Sequence, residues 1–539
     1  CFYIIYIRGI VAKTIIEKMK KIQEFRFKNL NYIRFRFIMH GAFVGVVAGF
    51  VVSFFRLVIE KLLTVMQTLY PKLLETPLLW PLVIGYLMLV LLVNAHFLAK
   101  EPNISGSGIP QVEGQLAGLL EVKWWSVLWR KWIGGVLAIG SGLFLGREGP
   151  SIQLGAMVGQ GVAKGLHLPK TKERCLLAGG AAAGLAAAFN APIAASLFVV
   201  EEIYHNFSPF VWTTSLAAAV TANFVSLSFF GSRPVLYLPH DQSFPPKSYG
   251  LLVILGVILG LLGLLYEFLT LNSSYLYQKI KCLTPRFYSL IPLSIVVFIG
   301  MFWPKVLGGG NKLITSLPVL HLSLLGLLGL FVLRLVFSTL SYGSSLPGGI
   351  FLPILTLGAL LGAIYWKILA DIGLLTPALL TNCIVYAMAG YFAGISKAPF
   401  TAILLVTEMV GSLEHLMPLA LVTLSAYAVC DILHGRPIYE AMLDNLAAHT
   451  AKVSLLSTEQ HEQFEFPIFV GSNLQDRMIK DIKWPKECLL LVIRRGEKEI
   501  LPHGETVLKA GDTLVLLTTP KDRRSVQLNL NKLSKLPPD

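Results

Sequence analysis

Apolar residues run in long blocks through the middle of the chain and give way to short alternating runs near its end. The blocks at 37–55, 81–99, 251–268 and 322–340 each approach the roughly 20 residues that an α-helix needs to cross a bilayer. This pattern predicts an all-α polytopic membrane body over 37–446, behind a basic, amphipathic lead at 1–36. From 455 to 539, mostly apolar runs at 488–494 and 513–517 are separated by turn chemistry (Pro502-His503-Gly504 and Ala510-Gly511-Asp512). That spacing predicts a small soluble domain built on short strands.

The body is not a row of uniform helices. Gly- and Pro-containing breaks fall at 105–110, 146–150, 190–192, 344–353 and 397–399. Irregular backbone is tolerated at membrane depth only where protein buries it or where it lines an aqueous path. The breaks also recur. Ala191-Pro192 leads to Glu201 and Ala398-Pro399 to Glu408, nine residues from Pro to Glu each time and 207 residues apart. Pro150-Ser-Ile-Gln-Leu-Gly-Ala-Met-Val-Gly159 matches Pro353-Ile-Leu-Thr-Leu-Gly-Ala-Leu-Leu-Gly362, 203 residues apart. Two ordered matches favour a duplication, with halves at about 37–231 and 250–446. Repeats flanking broken helices mark transporters that bind substrate where the repeats meet. If the repeats are inverted, the joining segment 231–249 lies outside the cell.

Composition sharpens this. The chain is 54% hydrophobic and 14% charged, against about 25% charged for a soluble domain, with a mean hydropathy of +0.65. Its formal charge of +15 is concentrated at the ends, before residue 37 and near Arg494, Arg495, Lys521, Arg523 and Arg524. Juxtamembrane Lys and Arg stay on the cytoplasmic side, so both termini are expected there, in a multi-pass inner-membrane protein. No aromatic-interleaved basic motif supports a nucleic-acid partner. The six cysteines have no metal-ligand spacing and read as apolar fillers or free thiols, and the 11 histidines form no ligand set, so no metal or cofactor is expected. The chain opens on Cys1, and Met19 is the expected natural start.

Three breaks have the chemistry of an anion path. Gly106-Ser107-Gly108 precedes Ile109-Pro110, Gly146 and Gly149 flank Glu148 ahead of Pro150, and Gly348-Gly349 precedes Ile350-Phe351. A half-helix starting inside the membrane presents unsatisfied N–H groups and the positive end of its dipole, which attract an anion without a full fixed charge. Packing glycines could explain any one of these segments. The three together favour an anion path.

Gly106–Pro110, Gly146-Arg147-Glu148-Gly149-Pro150 and Gly349-Ile350-Phe351-Leu352-Pro353 resemble the ion-path signatures of the CLC chloride channel and exchanger family. Tyr439, in Gly435-Arg436-Pro437-Ile438-Tyr439, resembles that family's pore tyrosine. The resemblance implies an inverted repeat, a homodimer with one pathway per subunit, and chloride as the transported ligand. It implies that Ser107 and Tyr439 offer hydroxyls, and Ile350 and Phe351 amides, to a central chloride. Gly106 would also belong to the chloride-binding set, and amides around Arg147–Gly149 would face an outer site. Glu148 would act as gate and proton-exchange group, and Glu202 as the internal proton-transfer glutamate. With both acids present, chloride/proton exchange is favoured over the alternative, a passive voltage- or pH-gated chloride channel. Glu201, Glu113 and Lys131 read as structural ionisable groups. A candidate dimer interface lies around 210–227 and 416–430. The tail, in Pro502-His503-Gly504-Glu505-Thr506-Val507-Leu508 and Gly511-Asp512-Thr513-Leu514, resembles the TrkA-C domain. That implies a small α/β regulatory domain over 455–539, which either binds a small ligand or serves as a stabilising cap.

Overall fold

The computed structural model describes residues 2–205, 207–238, 244–280, 283–320, 322–450, 462–496, 498–519 and 522–534, with side chains before residue 34, at 171, over 447–463 and at 524 outside that description. The expectations for Cys1, Cys282, the side chains of the basic lead before residue 34 (that of Met19 among them) and the middle of the joining segment therefore lie outside the described residues.

The first half contains α1 (Phe2–Lys72), α2 (Trp80–Lys100), α3 (Ile109–Leu116), α4 (Trp124–Gly140), α5 (Glu148–Gly165), α6 (Lys170–Phe189), α7 (Pro192–Phe198) and α8 (Pro209–Phe230). The second contains α9 (Tyr249–Leu271), α10 (Ser273–Gln278), α11 (Leu290–Phe302), α12 (Asn311–Ser316), α13 (Leu324–Gly343), α14 (Phe351–Asp371), α15 (Leu380–Ser396), α16 (Pro399–Val410), α17 (Leu416–Ile432) and α18 (Ile438–Thr450). Among the described residues, eight helical segments are long and apolar enough to cross a membrane. The blocks at 37–55, 81–99 and 251–268 fall inside three of them. The block at 322–340 starts late, at Leu324, because Ser323 caps that helix by accepting from the Gly326 amide at 3.2 Å.

The repeat is inverted. Glu201, at the end of the first copy, accepts from the amides of Phe400 (3.2 Å) and Thr401 (2.7 Å) at the start of α16. Glu408, near the end of α16, accepts from Ile193 (3.2 Å) and Ala194 (2.8 Å) at the start of α7. Each copy's glutamate thus caps the other copy's Pro-initiated helix, which requires α7 and α16 to run antiparallel. The matched glycine runs are also equivalent in space. Gly155 and Gly159 of α5 lie against the backbone of α6 at Gly180 and Leu176. Gly358 and Gly362 of α14 lie against α15 at Ala387 and Cys383. A Cβ at any of these four would collide with main chain, so the glycines mark where helices cross closely.

The tail folds as a four-stranded antiparallel sheet of order β1 (Glu462–Pro467), β4 (Asp512–Thr518), β2 (Cys488–Arg495), β3 (Lys498–Ile500), followed by α19 (Arg523–Ser534). Phe464, Phe466, Ile493, Leu514, Leu516, Val526 and Leu530 form its core. The Gly511-Asp512 turn is anchored by buried Asp512, which binds Arg495 through Nε and Nη2 at 2.7 Å each and accepts the Lys509 amide at 2.8 Å. The tail packs against the body: Arg174 of α6 lies 3.6 Å from Glu465 of β1.

Candidate ion pathway

The three glycine-rich breaks meet at one place. Gly146 and Gly349 exchange backbone hydrogen bonds of 2.6 Å in both directions, forming an isolated antiparallel bridge. Gly348 donates to the Gly106 carbonyl at 3.0 Å. The bridge sets the first turns of α5 and α14 against each other, and α3 opens beside them behind Gly108, whose φ of 94° a side chain would resist. Ile350 caps α14 and Phe351 is its first residue, so their amides belong to the helix end that has no intrahelical partners. The loop carrying Ser107 is held from behind by Lys131, whose buried Nζ donates to the carbonyls of Ile104 (2.8 Å) and Gly106 (2.7 Å).

Tyr439 reaches the same place through an aromatic chain. Phe351 packs on Phe189, Phe198 and Phe392, with ring centroids 5.2, 5.9 and 4.5 Å apart, and Phe198 meets the Tyr439 ring edge-on at 6.3 Å. The Ser107 hydroxyl, the Tyr439 hydroxyl, both carboxylate oxygens of Glu148, and Nε and Nη2 of Arg147 are all buried without a hydrogen-bond partner. Leaving one such group unsatisfied costs about 1–3 kcal/mol. Several of them around converging helix N-termini define a site built for a polar or charged ligand.

Glu148 is fully buried. Its carboxylate is packed against Gly146, where a Cβ would take its space, and lies within electrostatic reach of its own amide and that of Leu352. Arg147 is only a loose partner at 3.9 Å. Its Nη1 instead pairs at 2.6 Å with Glu60 of α1, which also holds Arg56 at 3.1 Å. A cavity of about 210 Å³ lined by Glu60, Arg147, Asn311, Lys312 and Leu352 approaches this side. Another of about 320 Å³, lined by Gly106, Gln111, Ser273, Tyr342 and Met442, approaches the Ser107 side.

Glu201 and Glu202 part company at a π-helical turn, Val199–Ile203. The wider turn sends Glu201 outward to cap α16, while Glu202 is buried with Glu113, Glu201 and Glu440 as its charged neighbours. Glu113 in turn lies 3.8 Å from His205. Glu202 thus sits with the supporting acids Glu113 and Glu201, and both it and Glu148 lie within electrostatic reach of Tyr439.

Residues 88–431 match the voltage gated chloride channel family, and residues 464–531 match the TrkA-C domain. The H(+)/Cl(-) exchange transporter ClcA of Vibrio parahaemolyticus is 35% identical over 453 residues, covering 80% of this chain and 94% of the relative. The chain belongs to the voltage gated chloride channel family. The Klebsiella pneumoniae exchange transporter ClcA is 34% identical over 382 residues, covering 69% of this chain and 80% of the relative. Among solved structures, a slow cyanobacterial Cl-/H+ antiporter superposes with a TM-score of 0.69 at 27% identity, over 77% of this chain and 99% of that one.

Sequence reasoning missed several polar residues packed around the junction and its approaches. Glu60 and Arg56 sit on α1 with no motif around them. Arg334 is buried on α13, where Nη1 donates to the Gly308 carbonyl at 2.7 Å and the guanidinium lies over Phe144. Tyr342 donates to the Met442 sulfur at 3.1 Å beside Gly106. A charge inside an apolar helix was the available signal for Arg334. Arg56 and Glu60 form a local i,i+4 pair, but the contacts that tie them and Tyr342 to the junction (Glu60–Arg147, Arg56–Ala188, Tyr342–Met442) span 80 or more residues.

Gly149 gives a direct check on this packing. A Cβ there would fall on the Ser107 hydroxyl and lie 2.8 Å from the Ser107 carbonyl. Gly149→Ala is therefore expected to strain the site by about 1–3 kcal/mol and to slow chloride efflux from liposomes by about tenfold or more. Unimpaired efflux would show that Ser107 is not held against α5.

Proposed function

We propose that this chain is a chloride/proton antiporter in which chloride occupies the junction of α3, α5 and α14 and Glu148 competes with it for the same amides. The observation that carries this reading is the set of orphaned buried groups, Ser107, Tyr439 and Glu148, at converging helix N-termini. Ser107 and Tyr439 supply hydroxyls and Ile350 and Phe351 supply amides to the central ion. The Arg147–Gly149 turn frames the approach from the Glu60 side, and Gly106 frames the approach from the Ser107 side. Weak coordination by dipoles suits an ion that must leave again.

A carboxylate is itself an anion, so deprotonated Glu148 fills the position and excludes chloride. Protonated, it loses its attraction for the amides, swings out and lets chloride in. Each cycle therefore links a proton to chloride movement. Glu202, buried on the side that carries the tail, hands protons to and from that face. The names of the relatives, exchange transporters and an antiporter, support this reading over a passive channel.

The basic ends support a cytoplasmic location for both termini and the TrkA-C-like domain. A homodimer with one pathway per subunit is supported by exposed apolar side chains on α8 and α17, including Phe224 and Leu424. No cofactor is required, since chloride and the proton are the ligands; a small ligand for the tail fits the regulatory character of TrkA-C domains. In liposomes, an outward chloride gradient is expected to drive protons inward against their own gradient. Chloride efflux with no proton uptake would establish the channel reading instead.

A further inference from the structure

The tail does not hang free of the body. A cavity of about 130 Å³ separates the two, lined on the body side by Glu113, Arg174, Tyr204 and His205 and on the tail side by Glu465, Phe469, Gln527 and Asn531. His205 lies two residues past the end of the π-helical segment that carries Glu202, three residues after that acid. Its Nε2 lies 3.8 Å from the Glu113 carboxylate, and the Phe469 ring of the tail meets the imidazole edge-on at 6.4 Å. The other oxygen of Glu113 is buried without a partner. His205 also holds a left-handed backbone conformation, φ 50°, that a non-glycine residue adopts at a cost of about 1–3 kcal/mol. A strained backbone that aims an imidazole at a buried acid is a common mark of a working residue rather than a filler.

We infer that His205, seated between Glu113 and Phe469, is the proton-relay residue through which the tail-side solution exchanges protons with Glu202, and that the tail domain forms the outer wall of this proton inlet. The inference rests on the antiporter reading above and goes beyond it, because no relay residue between Glu202 and solvent is otherwise assigned. Imidazole is suited to this step: it takes a proton on one ring nitrogen and releases one from the other, near neutral pH. The proton arrives from cavity water at His205, passes to Glu113 or through water to Glu202, and the imidazole returns to its neutral form. No bond other than N–H and O–H changes.

The charged groups around His205 come from every neighbouring element, with Glu201 on its own segment and Lys172, Arg494 and Glu499 lining a second cavity that His205 also reaches. Glu113 faces it from α3, Glu440 and Asp444 bear on that pair from α18, and Arg174 and Glu465 line the cavity from α6 and β1. Burial alone would push the imidazole down, but the Glu113 carboxylate outweighs this, with Glu440 adding to it, and the histidine is held above its ordinary value. A charged His205 is therefore present at a more alkaline pH than a free histidine would allow.

The test uses the full-length protein in liposomes, with chloride and proton fluxes recorded together while the pH on the tail side is varied. Asparagine and glycine both accept a positive φ, so His205→Asn and His205→Gly remove the titrating ring without opposing the backbone. Both variants are expected to keep chloride flux within about twofold of wild type and to lose most of the proton flux. They should also lose the histidine-range dependence of proton flux on tail-side pH. Adding imidazole to the tail-side buffer should restore proton flux in His205→Gly but not alter wild type. Phe469→Ala, which opens the wall, should shift the proton pH profile and leave chloride flux unchanged. If wild type moves protons and the His205 variants retain its flux and pH profile, the relay assignment is wrong. An unchanged profile in Phe469→Ala removes the tail from the inlet, and a wild type that moves no protons overturns the antiporter reading itself.

Discussion

Glu148→Ala is expected to leave chloride moving and to stop protons. The carboxylate is fully buried, packed on Gly146 at the bridge that joins α5 to α14, and is the ionisable group lodged among the amides of that junction. Removing it deletes the anion that competes with chloride and, in the same stroke, the group that binds the proton. The bridge itself is made of Gly146 and Gly349 main chain, so the framework of the site survives the substitution. Chloride flux should persist and lose its pH dependence, while proton flux falls below detection in the same vesicles. Proton flux at the wild-type level would require another group to carry the coupled proton.

The second large effect separates two adjacent acids. Glu202→Gln is expected to cut proton flux by about tenfold or more, a loss of roughly 1.4 kcal/mol or more in the proton-transfer step, with chloride flux retained and the folded protein as stable as wild type. Glu201→Ala is expected to do the reverse. It removes the acceptor for the Phe400 and Thr401 amides and for the Thr401 hydroxyl at 2.6 Å, leaving donors at the start of α16 unsatisfied. That loss is worth about 1–3 kcal/mol of stability and should appear as a lower melting temperature in detergent, with the proton-to-chloride ratio unchanged in the protein that remains folded. Matching phenotypes for the two variants would show that the π-helical turn does not divide their roles.

Much of this organisation could be read from the chain before its structure. Glycine and proline punctuate half-helices locally, so Ser107, Glu148 and the turn before Phe351 announce themselves without tertiary information. The Pro-to-Glu spacing, repeated at Glu201 and Glu408, foretold that these acids share a role, although only the fold shows that each caps the other's helix. The inversion came from the family resemblance alone, because sequence similarity between two copies is blind to their relative direction. Glu60 illustrates what no local pattern can supply. It lies 87 residues from Arg147, on a helix whose apolar run looks like any other, and its pairing depends on how α1 crosses α5. Tyr342 and the seat of Phe469 on His205 are likewise products of packing between distant elements. For the tail, strand positions at 488–494 and 513–517 followed from alternation and turn residues, whereas its docking against α6 through Arg174 and Glu465 did not.

The most direct test of the central claim is the zero-current voltage of the wild-type protein in a planar bilayer or patched vesicle, measured at a fixed chloride gradient while the pH on one side is changed. An antiporter whose proton and chloride share the Glu148 position must balance both gradients, so the zero-current voltage should move with every pH step. A zero-current voltage that stays at the chloride equilibrium value, whatever the pH gradient, would contradict the account.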